Sequence, residues 1–318
     1  MRILLDAMGG DNAPGAIVKG AVLAAARTED QIILVGPKTT VFELLCEECP
    51  DGIPANIIIV GANDVIGNDE APVKAIRTKT GSTIVTALNI LKDGYADAFV
   101  SAGSTGALLA GGLLICGRIK GIERPAICSL YPTLSGKVSL LVDAGANAEC
   151  KPRNLCEFGV MGSIYMEKVL GRENPKVALA NIGAEAEKGT PLTKKAYELL
   201  AESDLNFTGN IEARDIPSGA CDVIVADGFT GNIILKLSEG MLMQMVGLMK
   251  QKLPKEMVAA LASRTDYSEY GGAPILGVSK PVIKMHGASG PKAVMNAVLR
   301  ASEFAAHDVI GLIEANIK

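Results

Sequence analysis

The amino-acid sequence predicts an α/β fold built on a largely parallel sheet with helices on both faces. Short apolar runs of strand character recur along the chain and are near-continuous rather than alternating, as expected of strands buried on both faces. Six of these runs end in a polar residue, then a turn containing Gly, then a helix-like segment, the rhythm of consecutive β-α units. Gly is abundant, at 35 of 318 residues, whereas Trp is absent and aromatic residues make up only 4%. Small side chains and tight backbone turns follow from that composition.

The first strand is Arg2–Asp6, running into Ala7-Met8-Gly9-Gly10-Asp11. Gln31–Val35 and Asn56–Val60 read as the next strands, and Ala98–Ser101 leads into Gly103-Ser104-Thr105-Gly106. The apolar run from Gly106 to Gly117 spans 12 residues and ends at Arg118; it is too short to cross a bilayer and reads as a buried helix. Ala126–Leu130 is another strand. Ser139–Asp143 follows with Ala144-Gly145-Ala146-Asn147, and Val177–Asn181 with Gly183-Ala184-Glu185. Asp222–Ala226 leads into Asp227-Gly228-Phe229-Thr230-Gly231-Asn232, and Val282–Met285 into His286-Gly287-Ala288-Ser289-Gly290.

The segment Met241–Leu261 stands apart. Met241, Met245, Leu248 and Met249, then Leu253, Met257, Val258 and Leu261, keep helical spacing, while Lys250-Gln251-Lys252 and Pro254-Lys255 interrupt the middle. This predicts a projecting helical pair over 241–262 with a basic tip. No linker, repeat or low-complexity stretch divides the chain, so 1–318 reads as a single continuous α/β catalytic domain carrying that projection.

Several function classes are excluded. A net charge of −4 and a pI near 5.4 argue against a nucleic-acid binder. Seven cysteines spread from Cys46 to Cys221 form no disulfide framework and read as reduced thiols of a cytosolic protein. Met1-Arg2 runs straight into a strand, which does not fit a signal peptide. No G-x-G-x-x-G follows the first strand, and neither a P-loop nor a G-x-S-x-G elbow occurs. The two histidines, His286 and His307, are too few for a His-rich metal site, and Cys46-x-x-Cys49 lacks a partner pair. The reading is therefore no metal and no cofactor.

In open α/β sheets ligands bind outside the carboxyl ends of the strands. Turns there that open a helix present free N–H groups suited to an anion, although such turns also need Gly for their geometry alone. The candidates at an anionic substrate are Gly9, Gly10, Gly103, Ser104, Thr105, Gly106, Asn147, Thr230, Gly231 and His286. The chemistry left open needs positioning and charge stabilisation rather than an activated side chain, and acyl transfer to phosphate fits, because phosphate is itself the nucleophile.

Read in order, Asp6-Ala7-Met8-Gly9-Gly10-Asp11, Ser101-Ala102-Gly103-Ser104-Thr105-Gly106-Ala107, Asp143-Ala144-Gly145-Ala146-Asn147, Gly209-Asn210-Ile211-Glu212-Ala213-Arg214-Asp215, Asp227-Gly228-Phe229-Thr230-Gly231-Asn232, Tyr270-Gly271-Gly272-Ala273 and His286-Gly287 form a set. Across essentially the whole chain it resembles the bacterial acyl-ACP:phosphate acyltransferases of phospholipid synthesis. The resemblance implies an isocitrate dehydrogenase-like and phosphotransacetylase-like fold. It also implies transfer of a fatty acyl group from acyl carrier protein to phosphate, with the acyl phosphate passed to a membrane glycerol-3-phosphate acyltransferase. A cytoplasmic homodimer peripherally associated with the membrane is implied as well. The family's Lys in Asn-x-Gly-x-Glu-x-x-Lys-Gly matches Lys188, and the Asn closing Asp-Gly-Phe-Thr-Gly-Asn matches Asn232. Where the family often has His and Asn, this chain has Asn12 and Ser104.

On this reading Lys188 and Asn232 are catalytic, Lys188 neutralising phosphate and Asn232 facing the oxyanion. N-capping of a helix is the alternative for Asn232. Asp6, Asp143 and Asp227 order the turns by accepting backbone N–H bonds, since carboxylates repel phosphate. His286 is either structural or a substrate contact. Arg77 and Lys79, with Lys74, are either solvated or at phosphate or phosphopantetheine. Lys250, Lys252, Leu253 and Lys255 are candidates for membrane or carrier-protein contact. The rival readings are a phosphotransacetylase acting on acyl-CoA, a metal-dependent dehydrogenase of similar architecture, and a non-catalytic membrane-docked scaffold.

Overall fold

Ile3, Leu4 and Leu5 on the first strand have no exposed area, although successive strand side chains point to opposite faces. A strand buried on both faces needs cover on both sides, and this organises the fold. The computed structural model describes residues 1–250, Pro254, Met257 and 271–317. The described strands are β1 (Arg2–Asp6), β2 (Gln31–Gly36), β3 (Ile57–Gly61), β4 (Ala98–Ser101), β5 (Ala126–Pro132), β6 (Val138–Val142), β7 (Val177–Asn181), β8 (Phe207–Glu212), β9 (Val223–Val225), β10 (Ala273–Leu276) and β11 (Val282–Lys284). The helices are α1 (Gly15–Ala25), α2 (Lys38–Glu48), α3 (Pro72–Thr78), α4 (Thr83–Lys92), α5 (Thr105–Gly111), α6 (Pro152–Lys168), α7 (Pro191–Ala201), α8 (Gly228–Lys250), α9 (Pro291–Ala306) and α10 (Val309–Asn316).

The chain divides into two compact units, Met1–Lys120 with Ser268–Glu314, and Gly121–Tyr267 with Ala315–Lys318. The sequence reading of one continuous domain marks no such division, because no linker composition accompanies it. In the first unit the strand order is β3-β2-β1-β4-β11-β10, parallel except for β10 against β11. From β1 the chain steps outward to β2 and β3, then returns to lay β4 on the other side of β1. That reversal opens a crevice at the carboxyl ends of β1 and β4. α1 packs on α9 through Gly20, where an added Cβ would lie 2.4 Å from Val294 Cβ. Ser82 caps α4 by accepting from Val85 N at 3.4 Å, and Ile84, Leu88 and Leu91 turn inward at helical spacing.

In the second unit the order is β5-β6-β9-β7-β8, parallel except for β5 against β6. β9 is short but wholly buried, and α6 lies over it through Gly162, where a Cβ would meet Val223 Cγ1 at 2.7 Å. β8 is an outer strand, with only Ile211 buried.

The largely parallel α/β sheet agrees with the sequence reading, with three local differences. β8 and β10 are additional strands: Thr208-Gly209-Asn210 is too polar, and Pro274 too strong a breaker, for either to read as one. The run Gly106–Gly117 is not one buried helix, because α5 gives way to a π-helical turn over Gly112–Cys116 and Leu114 is half exposed. Met241–Lys250 forms the last turns of α8, a 23-residue helix, and the expected second helical segment lies almost entirely outside the described residues. Among the described residues no helix is long and apolar enough to cross a membrane.

Two glycines separate packing from propensity. Gly20→Ala is expected to lower the thermal midpoint, since overpacking at Val294 costs about 1–3 kcal/mol. Gly240→Ala, within α8 and with nothing within 4 Å of an added Cβ, is expected to raise it, by about 1 kcal/mol of helix propensity. Differential scanning fluorimetry of the two variants checks the opposite signs.

Candidate functional site

At the end of β1, Asp6 is 1% exposed and anchors the first unit's crevice. Its carboxylate accepts from Ser101 Oγ at 2.7 Å and from Met8 N at 3.1 Å, while Ser101 Oγ accepts from Gly103 N at 2.9 Å. The turns after β1 and β4 are thus tied through one carboxylate. Burial pushes the Asp6 carboxyl up, and Ser101, Thr83 and the Met8 and Gly9 N–H groups pull it back. Gly9 is required by contact, since a Cβ there would fall 2.5 Å from Asp6 Oδ2 and 2.6 Å from Gly103 N. Gly10 has φ +98° and closes on Ala102 and Gly287.

These turns wall a pocket of about 150 Å³, lined by Asp6, Met8, Gly9, Gly10, Asp11, Gly103 and Ser104, by Val65–Asn68, and by Thr83 and Ile84. Ser104 is buried and caps α5 through Ala107 N at 3.4 Å. Lys79 holds the 64–70 loop in place, pairing with Glu70 at 2.9 Å and Asp64 at 3.6 Å and donating to Val65 O at 2.8 Å. Lys79 is therefore engaged within this loop, while Arg77 and Lys74 stay exposed. Thr105, Gly106 and His286 are not on the pocket wall. His286 is exposed and its Nδ1 accepts from Ala288 N at 3.2 Å, which leaves the neutral ring's proton on Nε2. Asn12 donates to Ala288 O at 3.0 Å, binding the turn after β1 to the turn after β11. Lys284, which the sequence does not single out, donates to Ala102 O at 3.3 Å and to Met285 O.

In the second unit Asp143 plays the corresponding part. Its Oδ1 accepts from the backbone N–H groups of Ile127, Gly145 and Ala146 at 3.1, 3.0 and 2.9 Å. Its Oδ2 accepts from Asn147 N at 2.7 Å and Asn147 Nδ2 at 2.9 Å. Burial raises the Asp143 pKa, and these N–H donors oppose the rise. The start of α8 seats on this loop. A Cβ on Gly231 would lie 1.9 Å from Asp143 O, and one on Gly228 2.6 Å from Asn147 O. Asp227 caps α8, accepting from Thr230 N at 2.9 Å and from Thr230 Oγ1 at 2.8 Å. Asn232 lies one turn inside the helix, so the capping alternative passes to Asp227. The Asn232 side chain is exposed, sits beside Gly145, and makes no hydrogen bond among the described residues.

The turn after β7 carries Lys188. Asn181 Nδ2 donates to Lys188 O and to Asn210 Oδ1, both at 3.1 Å, and Asn210 Nδ2 donates to Glu185 O at 2.8 Å. Gly189, at φ +99°, leaves no room for a Cβ beside Asn181 and Thr193. The backbone is locked while the Lys188 side chain stands exposed, with no ion pair among the described residues. β6, β9 and β7 are parallel neighbours, so the turns carrying Asp143, Asn232 and Lys188 share one edge of this sheet.

The predicted residues thus fall into two groups. Gly9, Gly10, Gly103 and Ser104 gather around Asp6, whereas Asn147, Thr230 and Gly231 gather around Asp143 and Asp227. The Asn147 amide is engaged by Asp143 and Pro125 O and the Thr230 hydroxyl by Asp227, so both order their turns. Sequence reasoning missed the parts played by Ser101, Asn181 and Asn210; for Ser101 and Asn181, a polar residue at the very end of an apolar strand was the available signal. Lys250 is exposed at the end of α8, while Lys252, Leu253 and Lys255 lie outside the described residues. Burial pushes the thiols of Cys116 and Cys150 to about 11 and that of Cys221 to about 12. Among the described residues no three His, Cys, Asp or Glu side chains converge to hold a metal ion.

The sequence model of the family described as "Fatty acid synthesis protein" matches residues 1–312. A protein named phosphate acyltransferase from Alkaliphilus oremlandii is 49% identical, over 100% of this chain and 97% of its own length. The phosphate acyltransferase of Clostridioides difficile is 48% identical, over 98% of this chain and 94% of its own. Among solved structures, a phosphotransacetylase from Streptococcus pyogenes superposes with a TM-score of 0.64 at 18% identity, covering 96% of this chain and 94% of that one. That likeness shows a phosphotransacetylase-like fold.

The N–H cluster around Asp143 ranks the strand-end carboxylates. Asp143→Asn would turn an NH₂ donor against N–H donors and is expected to cost on the order of 3 kcal/mol. Asp227→Ala removes a helix cap and should cost about 1 kcal/mol. Urea unfolding monitored by far-UV circular dichroism measures both; equal midpoints would remove Asp143 from its organising role.

Proposed function

The chain belongs to the phosphate acyltransferase family, and from that premise we propose that it transfers a fatty acyl group from acyl carrier protein to inorganic phosphate, giving acyl phosphate for phospholipid synthesis. The observation that carries the reading is that Lys188, on the turn after β7, and Asn232, near the start of α8 after β9, stand exposed and unengaged on backbone that is otherwise fixed. β7 and β9 pair in parallel. Hydrogen phosphate supplies the nucleophilic oxygen. Its attack on the thioester carbonyl gives a tetrahedral oxyanion, and collapse breaks the C–S bond and releases the carrier thiol. The proton originally on phosphate ends on sulfur, so the step balances without an external base or a nucleotide. Lys188 offsets the phosphate charge, and the Asn232 amide donates to the oxyanion, where a fixed donor stabilises the transition state more than the ground state.

The partners in this reading are acyl carrier protein, a second copy of the chain, and a membrane glycerol-3-phosphate acyltransferase that takes the product. The face of α8 supports association: Phe229, Ile233, Leu237, Met241, Met245 and Leu248 recur at helical spacing and are each half or more exposed. This face suits helix packing across a homodimer. The basic residues from Lys250 onward suit reversible docking on anionic lipid, with each lysine adding on the order of 1 kcal/mol. A cytoplasmic protein peripherally associated with the membrane is consistent with this.

Purified protein incubated with palmitoyl-ACP and phosphate is expected to form hydroxylamine-trappable acyl phosphate without nucleotide and in the presence of EDTA. Failure to form it, or abolition by EDTA, overturns the reading. Lys188→Ala and Asn232→Ala should each lose about 10²–10³-fold in turnover with unchanged melting, the Asn232 loss falling chiefly in kcat.

Liposome flotation tests the tip separately. Lys250→Glu/Lys252→Glu is expected to lose binding to anionic vesicles while keeping turnover on soluble acyl-ACP. A raised KM for acyl-ACP with normal flotation would assign the tip to the carrier instead.

A further inference from the structure

Arg124 leads into β5 on backbone that is fixed on both sides. It precedes Pro125, which confines it to extended conformations. Glu123 N donates to the buried Glu157 carboxylate at 3.0 Å. Pro125 O accepts from Asn147 Nδ2 at 2.7 Å, and Asp143 holds the same amide at 2.9 Å. Because β5 runs antiparallel to β6, with Cys128 opposite Val142, its first residues lie at the carboxyl end of β6. Ala144 N accordingly donates to Ile127 O at 2.8 Å. Arg124 therefore stands at the sheet edge that carries Asp143, Lys188 and the start of α8.

Its side chain is exposed and makes no hydrogen bond or ion pair among the described residues. The acids next to it are taken elsewhere. Glu123 accepts from Asn154 Nδ2 at 3.2 Å and pairs with Lys151 at 3.8 Å, and Glu157 pairs with Arg153 at 3.0 Å. The Arg124 charge reaches the Cys150 thiol and favours its ionised form. That thiol lies 3.6 Å from Asn147 O, which also accepts from Gly228 N at 2.8 Å at the start of α8. The guanidinium thus acts on the same stretch of backbone from which Asn232 projects. An anion brought to this edge meets the Asp143 and Asp227 carboxylates, and Lys188 offsets only part of the charge of a hydrogen phosphate dianion. A second cation is what the balance requires, and an Arg supplies it with a planar fork of donors that matches two phosphoryl oxygens.

We propose that Arg124 is a third substrate-binding residue of this edge, its guanidinium taking two oxygens of a phosphoryl group, either inorganic phosphate or the phosphodiester of a pantetheine-type carrier arm. Both substrates are those of the acyltransferase reading, on which the assignment rests. Lys188 acts as a point charge and leaves a phosphoryl group free to turn, whereas a fork held on fixed backbone sets its orientation as well.

The test uses the full-length protein with Arg124→Gln, which removes charge and fork, and Arg124→Lys, which keeps the charge alone. Arg124→Gln is expected to raise one KM about tenfold or more at unchanged melting temperature, with Arg124→Lys in between. A rise in the phosphate KM assigns the fork to the nucleophile, and a rise in the palmitoyl-ACP KM assigns it to the carrier arm. Added guanidinium should recover part of the activity lost in Arg124→Gln, which a merely structural role would not allow. Unchanged KM values for both substrates overturn the proposal. Phosphorus NMR reads binding without turnover: wild-type protein should broaden the signal of inorganic phosphate or of free phosphopantetheine, and Arg124→Gln should weaken that effect. Broadening that Arg124→Gln leaves intact for both probes overturns the proposal equally. Should Arg124→Gln fail to fold, phenylglyoxal labelling of the wild type decides; protection of Arg124 by either probe supports the assignment, and an unchanged labelling rate with both sinks it. A wild type that makes no acyl phosphate but binds either probe in an Arg124-dependent way would remove the acyltransferase reading and leave the assignment of Arg124 standing.

Discussion

A parallel sheet delivers all its strands' carboxyl ends to one edge, and each turn there exposes N–H groups that neither strand nor helix satisfies. In this protein strand-end carboxylates accept them. Asp143 takes four backbone N–H groups and a side-chain amide, Asp6 ties the turns of β1 and β4 through Ser101, and Asp227 starts α8. Once a turn has collapsed onto its carboxylate, neighbouring backbone comes too close for a side chain. Gly9 lies against Asp6, and Gly228 and Gly231 lie against the Asp143 loop. The glycine-rich motifs therefore follow from the carboxylate anchors. Their first role is contact, and whatever they offer a ligand comes second.

This arrangement has an electrostatic consequence. Carboxylates that order the turns make the same turns poor hosts for an anion, because the N–H groups face inward and the charge has the wrong sign. Ligand recognition then falls to side chains carried on the ordered turns and left free by them. Lys188 and Asn232 fit that description, each with a fixed backbone and an unengaged side chain. Rigid elements beneath a free functional group are what preorganisation requires, and here the rigidity comes from neighbouring amides: Asn181 and Asn210 behind Lys188, Asn147 behind the start of α8.

The same logic explains what could be read from the sequence. Near-continuous apolar strands and their Gly-containing turns identify the α/β class, the parallel sheet and the strand-end carboxylates, because burial and period are local properties. β8 and β10 escape that reading: one is a polar outer strand held by the pairing of Asn210 and Asn181, the other contains Pro274, and both depend on neighbours distant in sequence. The capping reading of Asn232 fails because the helix begins earlier, at Gly228, with Asp227 as its acceptor. Thr83 carries no sequence signal at all. A Thr at a helix start reads as an ordinary cap, and only the packing of β1, the 64–70 loop and α4 buries its hydroxyl beside Asp6.

The cysteines complete the chemical picture by what they do not do. The proposed attack of phosphate on a thioester requires the protein's own thiols to stay out of the reaction, because a thiolate is a far better nucleophile toward a thioester carbonyl than a phosphate oxygen. Cys150 lies against the Asp143 turn, its Sγ 3.6 Å from Asn147 O. Burial, with a smaller push from the Asp143 and Asp227 carboxylates and against the pull of the Gly228 N–H and Arg124, raises its pKa to about 11. At neutral pH that leaves on the order of one molecule in ten thousand as thiolate. Packing against the ordered turn thus keeps this thiol in its inert form, and the carboxylates that fix the turn add to the effect of burial.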